Sequence, residues 1–310
     1  MTIPDAIAEL VPTLEAWRHD LHAHPETAFE EHRTSAFITR ELRDMGLEVH
    51  EGIAGTGVVG VLRAGNGPAV GLRADIDALD ITEQTGLPYT STIDGKMHAC
   101  GHDGHTAILL GTALHLSKSP PRNGTVVFIF QPAEENEGGA RVMVSEGLFR
   151  QFPVESVFGL HNWPGLPAGE IALHSGPIMA ALDSFELSIS GKGSHAAMPH
   201  EGIDPITVAS QVQNAWQHIV SRRLDPTDAA VISITHVEAG GAPNVIPEEL
   251  RLRGTVRSLR PETQDLIESE MRHRAERIAD AYGGSASLDY QRRYPPTINH
   301  PDATVIATSA

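Results

Sequence analysis

Residues 97–135, MHACGHDGHTAILLGTALHLSKSPPRNGTVVFIFQPAEE, pass from a histidine-rich segment through a helix and a strand into an acidic loop. HTAILLGTALHL reads as a helix and TVVFIF as a buried strand. A second short apolar strand follows in ESVFGLH. Ahead of the segment lie two extended stretches, VVGVLRAG and AVGLRAD, joined by a turn at Gly65-Asn66-Gly67-Pro68. Helices alternating with apolar strands predict an α/β sheet covered on both faces. Two more helices precede it. Leu10, Leu14, Trp17 and Leu21 recur at three- and four-residue steps over residues 5–24, and a second helix spans Thr34 to Met45 and stops at Gly46.

Near residue 180 the pattern changes. SFELSISGKGS, a helical stretch from Pro205 to Arg223, AAVISITHVEAG, ELRLRGTVRSL, a helix from Pro261 to Tyr282 and SASLDYQRRYPP give strand, helix, strand, strand, helix, strand. That order is similar to a small α+β unit with its helices on one face of an antiparallel sheet, placed at residues 182–292.

Composition bounds the function. At 310 residues the chain is long enough for two domains. A net charge of -17 would repel a phosphate backbone, and no basic stripe offsets it, so nucleic acid is excluded as a partner. The first residues, MTIPDAIAEL, lack a basic segment followed by an apolar one, and no run of about 18 apolar residues occurs, which argues against export and membrane insertion. One cysteine excludes an internal disulfide framework and places the chain in a reducing cytoplasm. Histidine stands out, with 17 copies, as the side chain most used for metals and for protons near neutral pH.

Three signals follow from position. Cys100 and His102 flank a glycine, and in an extended segment residues i and i+2 project to one side, where a thiolate and an imidazole could share a cation. A small buried hydrophobe is the competing reading of Cys100. Glu134 and Glu135 follow a strand broken by Pro132. Adjacent carboxylates in a loop diverge, so one could bind metal while the other handles protons; a solvated acidic turn is the alternative. His161 closes a third apolar strand, as a ligand or as a structural histidine. Ligands gather beyond the carboxyl ends of strands in open α/β sheets, which favours a joint metal site.

Two other motifs fail on context. Gly55-Thr56-Gly57-Val58-Val59-Gly60 matches GxGxxG, but a strand-like segment follows where a dinucleotide fingerprint needs a helix. His22 and His24 form an HxH, yet the residues before them have helical period, and LHAHPE reads as a helix end stopped by Pro25.

Taken in order, LHAHPETAFEE, LRADIDALDI, MHACGHDGHTAILLG, QPAEENEGGA, GLHNWP, GKGSHAAMPHEGIDPI and APNVIPEELRLRGTVRS resemble the M20 metallopeptidase superfamily over essentially the whole chain. The cysteine-containing motif resembles its N-acyl-amino-acid amidohydrolase branch: aminoacylase-, hippurate hydrolase- and indole-acetyl-amino-acid hydrolase-like enzymes. The resemblance implies a two-metal, exopeptidase-like α/β catalytic domain, residues 1–181 plus 293–310, with an inserted α+β, ferredoxin-like lid, residues 182–292, through which the chain forms a homodimer. It implies two divalent ions, Mn²⁺ first and Zn²⁺, Co²⁺ or Ni²⁺ otherwise, held by Cys100, His102, Glu135 and His161. Glu134 would be the general base and His195 a lid histidine reaching the active site. Asn244 and Arg257 would hold the substrate carboxylate. Asp75 falls where related enzymes keep an aspartate that orients a metal-binding histidine, although a strand-end ion pair with Arg73 explains it equally.

The implied reaction is hydrolysis of an N-acyl-L-amino acid to a carboxylate and a free amino acid. N-acetyl-diaminopimelate or a short peptide is the alternative substrate, and a cysteine hydrolase using Cys100 as nucleophile is the remaining enzymatic alternative. Members of the family run some 70–90 residues further and take a last histidine ligand from that end. The resemblance therefore also leaves open an inactive metal-binding dimer lacking that ligand.

Overall fold

The structure is a computed structural model and describes residues 3–135 and 138–310. The chain divides into two compact units, Met1–Ile171 and Ala172–Ala310.

In the first unit, α1 (Asp5–Ala8) and α2 (Val11–Ala23) replace the single helix expected over residues 5–24. Pro12, in the first turn of α2, has no N–H to donate back to α1, so the helix must restart there. Helix α3 (His32–Asp44) follows, and Gly46 just beyond it takes φ +79°, the left-handed conformation that ends helices. The sheet contains β1 (Glu48–Ile53), β2 (Gly57–Arg63), β3 (Ala69–Asp75), β4 (Thr125–Gln131) and β5 (Ser156–Gly159) in the order β1-β2-β4-β3-β5. Helix α4 (His102–Lys118) carries the chain from β3 to β4, and α5 (Gly139–Ser145) and α6 (Leu148–Gln151) carry it from β4 to β5.

Strands β4, β3 and β5 run parallel, while β2 lies antiparallel to both β1 and β4. Because three parallel strands share a direction, Asp75, Gln131 and Gly159 all close at one edge of the sheet. Apolar side chains cover both faces. Phe128, Phe130, Ile76, Leu42 and Leu110 form one cluster, and Val59, Ile129, Met143 and Leu148 form the other. The segment after Gly55 is strand β2, consistent with rejecting a dinucleotide loop.

The second unit opens with β6 (Gly176–Met179), which pairs with β13 (Thr297–Asn299). Between them come β7 (Leu182–Ser190), β8 (Ser194–His195), α7 (Pro205–Arg222), β9 (Ala230–Ala239), β10 (Val245–Ile246), β11 (Glu249–Ser258), α8 (Pro261–Ala281) and β12 (Ser285–Tyr294); α9 (Pro301–Ser309) closes the chain. A four-stranded antiparallel sheet in the order β12-β7-β11-β9 is crossed by α7 and α8 on one face. Along β11, Leu250, Leu252 and Val256 face the helices, while Arg251, Arg253 and Arg257 face away and are exposed. Trp216 of α7 is fully buried there, its ring edge-on to Phe185 with centroids 5.2 Å apart, and its indole N–H donates to the Met271 carbonyl at 3.0 Å. Among the described residues no helix is long and apolar enough to cross a membrane.

Truncating Trp216 to Ala removes a large buried ring and its hydrogen bond to the Met271 carbonyl. We expect a loss of about 3–5 kcal/mol, read as a lower denaturant midpoint; an unshifted midpoint would mean that this core does not limit stability.

Candidate metal centre

Three loops at the carboxyl edge of the first unit's sheet bring the site together. The end of β3 and the loop after it supply Asp75, Asp77 and Cys100, with His102 at the start of α4; the loop after β4 supplies Glu134 and Glu135, and the loop after β5 supplies His161 and Asn162. The turn into α4 requires glycine. Gly101 has φ +87°, and a Cβ there would lie 2.7 Å from Asn162 Oδ1.

His102 is completely buried. Its Nδ1–H donates to the Asp77 carbonyl at 2.9 Å and lies 3.2 Å from Asp77 Oδ1. In the neutral ring Nε2 therefore carries the lone pair, and it has no hydrogen-bond partner among the described residues. It points at carboxylates, with Asp75 Oδ2 at 3.6 Å, Glu135 Oε1 at 3.7 Å and Glu134 Oε2 at 4.0 Å. Glu135 Oε1 is likewise buried without a hydrogen-bond partner among the described residues. His161 repeats the arrangement: Nδ1 donates to the Asn162 carbonyl at 2.6 Å, and Nε2 lies 3.4 Å from Cys100 Sγ. Ring nitrogens tied outward to oxygen, with the other nitrogen turned inward, are the tautomers a metal needs. Cys100–His102–His161 and His102–Glu134–Glu135 each bring one ligand atom per residue to within 4.8 Å of the others.

The electrostatics ask for a cation. Burial alone would lower His102, but the Asp77 hydrogen bond, the Cys100 sulfur and the charges of Asp75 and Asp77 outweigh it and push the imidazole up to about 11. A proton on Nε2 thus stands where a metal would stand. His102 favours the thiolate of Cys100, yet burial and the Glu135 charge leave the thiol above its ordinary value. Burial, then the Asp75 charge, lifts Glu134 above the usual carboxylate range, in the direction that suits a proton carrier. Asp75 goes the other way: burial would raise it, but its hydrogen bond to His105 and the Arg73 charge hold it well below.

Of the two readings offered for Asp75, the strand-end ion pair with Arg73 is present, and the aspartate bonded to His102 Nδ1 is Asp77. Asp75 Oδ2 pairs with Arg73 at 2.8 Å and Oδ1 accepts from His105 Nδ1 at 2.6 Å. The hydrogen bond that orients the His102 ring comes from Asp77, whose Oδ2 also accepts the Glu135 backbone N–H at 3.0 Å. The signal was present in RADID, since Asp75 and Asp77 are two apart. His105 had no assigned role, although it lies three residues after His102 on α4, with ring centroids 5.4 Å apart. The rejected His22 sits elsewhere in the unit, bonded to Asp103 at 2.9 Å and Glu83 at 3.2 Å.

In the second unit, His195 and Asn244 come together. β8 pairs with β10 in a register that sets His195 opposite Val245, and the Ala196 N–H donates to the Asn244 carbonyl at 2.9 Å. Arg257 is on β11, paired with Val231 of β9. All three side chains are exposed.

Comparison with known proteins agrees with this chemistry. Peptidase family M20/M25/M40 matches residues 71–310. An N-acetylcysteine deacetylase of Bacillus subtilis is 44% identical over 285 residues, covering 91% of this chain and 74% of that protein. A hippurate hydrolase of Campylobacter jejuni is 41% identical over 309 residues, 99% of this chain and 80% of that one. A dinuclear metal binding peptidase from Bacillus subtilis superposes with a TM-score of 0.83 at 40% identity, over 97% of this chain and 79% of that structure.

If the inward nitrogen and sulfur are ligands, Cys100→Ser and His102→Ala should each lower bound metal in elemental analysis, and full occupancy in both would remove them from the site. Loading the metal-free protein near pH 7 should release protons from the His102 imidazole and the Cys100 thiol. The sign follows from both being held protonated without metal, so apparent metal affinity should fall as pH falls, as titration in weak buffer would show.

Proposed function

The chain belongs to the peptidase family M20/M25/M40, and on that premise we propose that it is a metal-dependent amidohydrolase that cleaves N-acyl-L-amino acids to a carboxylate and a free amino acid. The observation that carries this reading is the unpartnered Nε2 of buried His102, facing carboxylates with Cys100 and His161 beside it. Those donors fit two divalent ions, held by Cys100, His102, Glu135 and His161; Mn²⁺ is our first assignment, on the family resemblance, with Zn²⁺, Co²⁺ and Ni²⁺ as the others. When bound, such ions lower the pKa of water and polarise an acyl carbonyl.

The protein's own groups supply the proton path. Glu134, raised by burial and by Asp75, takes a proton from water as its oxygen adds to the acyl carbon, and returns it to the departing nitrogen. Arg257 offers a planar fork for the amino acid's carboxylate and Asn244 an amide for the same group. His195 stabilises charge developing on the acyl oxygen. We assign residues 182–292 the part of a lid and homodimerisation domain, and residues 1–181 with 293–310 the catalytic part. The single thiol, used as a ligand, suits a reducing cytoplasm.

Support comes from relatives whose names carry N-acetylcysteine and hippurate as substrates. Metal-loaded protein should hydrolyse N-acetyl-L-cysteine or hippurate faster than N-acetyl-diaminopimelate or a dipeptide, and chelation should abolish turnover. No turnover of any N-acyl amino acid by the loaded protein would overturn the proposal. Glu134→Gln should retain metal while kcat falls by roughly 10²-fold or more, whereas Glu135→Gln should lose metal; the opposite pattern would exchange the two roles. If His195 serves the partner's site, mixing Glu134→Gln and His195→Ala proteins should restore some activity, because one mixed site then has both groups intact.

A further inference from the structure

Glu31 is completely buried, and no step of amide hydrolysis uses it. Its Oε1 accepts the backbone N–H of Ala133 at 2.9 Å, and its Oε2 accepts the Thr56 hydroxyl at 2.5 Å. Ala133 is itself fully buried and has φ +51°, in the left-handed region that a residue with a side chain keeps only when its surroundings impose it. The next residue is Glu134. On the far side of the loop the Ala133 carbonyl accepts the Gly139 N–H at 3.0 Å.

The turn carrying Thr56 is fitted to the same loop. A Cβ on Gly57 would lie 2.5 Å from the Ile53 carbonyl oxygen and 3.0 Å from Pro132 Cδ, so glycine is required for the turn to reach the residue before Ala133. The glycines that imitate a dinucleotide motif thus bring the β1–β2 turn against the loop of the general base. On the other flank of Glu134, Asp77 accepts the Glu135 N–H at 3.0 Å. Buried carboxylates therefore hold the backbone on both sides of Glu134.

We propose that Glu31 is a positioning residue for the general base: by holding Ala133 in the left-handed conformation it sets the direction in which the Glu134 side chain leaves the chain. The inference rests on the assignment of Glu134 as base and adds the device that aims it. What Glu31 supplies is geometry, an acceptor for Ala133 and an anchor on Thr56. An amide in its place can do both, its oxygen accepting from Ala133 and its NH₂ donating to the Thr56 oxygen.

The test uses metal-loaded protein. Glu31→Ala should lower kcat by roughly 10–100-fold, the scale of a misaimed catalytic group, with KM and bound metal little changed, and Glu31→Gln should recover most of that loss. The deciding measurement is a double-mutant cycle. In a Glu134→Gln background there is no base left to aim, so Glu31→Ala should cost nothing further in kcat. Losses that multiply in that background, or a Glu31→Ala protein as active as the parent, would overturn the positioning role. Should Glu31→Ala not fold, Thr56→Val keeps the volume and removes one anchor. It should give a smaller kcat loss that also vanishes beside Glu134→Gln, and a persisting loss would overturn the proposal. A Glu134→Gln protein with unimpaired turnover would instead overturn the base assignment itself.

Discussion

Carboxylates converging on one buried imidazole set the terms for everything around them. Asp75, Glu134 and Glu135 face the bare Nε2 of His102, and Asp77 holds its other nitrogen. Arg73 offsets only the Asp75 share of that negative charge, and the remainder favours a positive charge at the imidazole. A proton on His102 answers the demand in the metal-free protein, and a cation answers it with more charge. The raised imidazole follows from these carboxylates, whereas the raised thiol of Cys100 and the raised Glu134 owe most to burial, with the Glu135 and Asp75 charges adding to it.

The sheet meets that demand through topology. Parallel β3, β4 and β5 deliver their following loops to one edge, and α4 starts at the same edge, so groups from residue 75 to residue 161 converge without any long excursion. Arg73 ties two strand ends together: its guanidinium donates to Gln131 Oε1 at the end of β4 and to Asp75 at the end of its own strand. The antiparallel pair β1–β2 brings no ligand. Its turn reaches the loop after β4 instead, and so the strands that look least related to the centre help to shape it.

Local signals were legible wherever the physics is local. Buried strands showed as apolar runs, α3 and α4 as helical stretches, and the second unit's strand–helix order as an antiparallel sheet with helices on one face. Cys100, His102, Glu134, Glu135 and His161 were visible because strand ends and loop breaks mark them. The interruption between α1 and α2 was readable in Pro12 but was overridden by the regular spacing of Leu10, Leu14, Trp17 and Leu21. Roles that depend on contacts between distant residues were hidden. Nothing near Glu31 announces that its carboxylate will meet Ala133, 102 positions away. Asp75 and Asp77 could not be told apart either, because their duties depend on which histidine of α4 each bonds.

His105 shows how such a distinction matters to the chemistry. With Asp75 and His102 it forms a fully buried cluster of ligand type, which by composition alone would pass for part of the metal set. Its nitrogens are both committed, however. Nδ1 donates to Asp75 at 2.6 Å, and Nε2 either accepts the Asn162 backbone N–H at 3.0 Å or, when protonated, donates to Asn162 Oδ1 at 2.5 Å. A metal on either nitrogen would have to break a buried hydrogen bond and leave its partner unsatisfied, whereas His102 and His161 offer an inward nitrogen at no such cost. The geometry therefore makes His105 a strut. It links Asp75, fixed by Arg73, to the residue after His161, and Gly101 clears the space in which Asn162 makes that link. Through this chain the end of β3 helps to set where the His161 loop stands, so one aspartate that faces the centre also braces a ligand in the loop after the neighbouring strand.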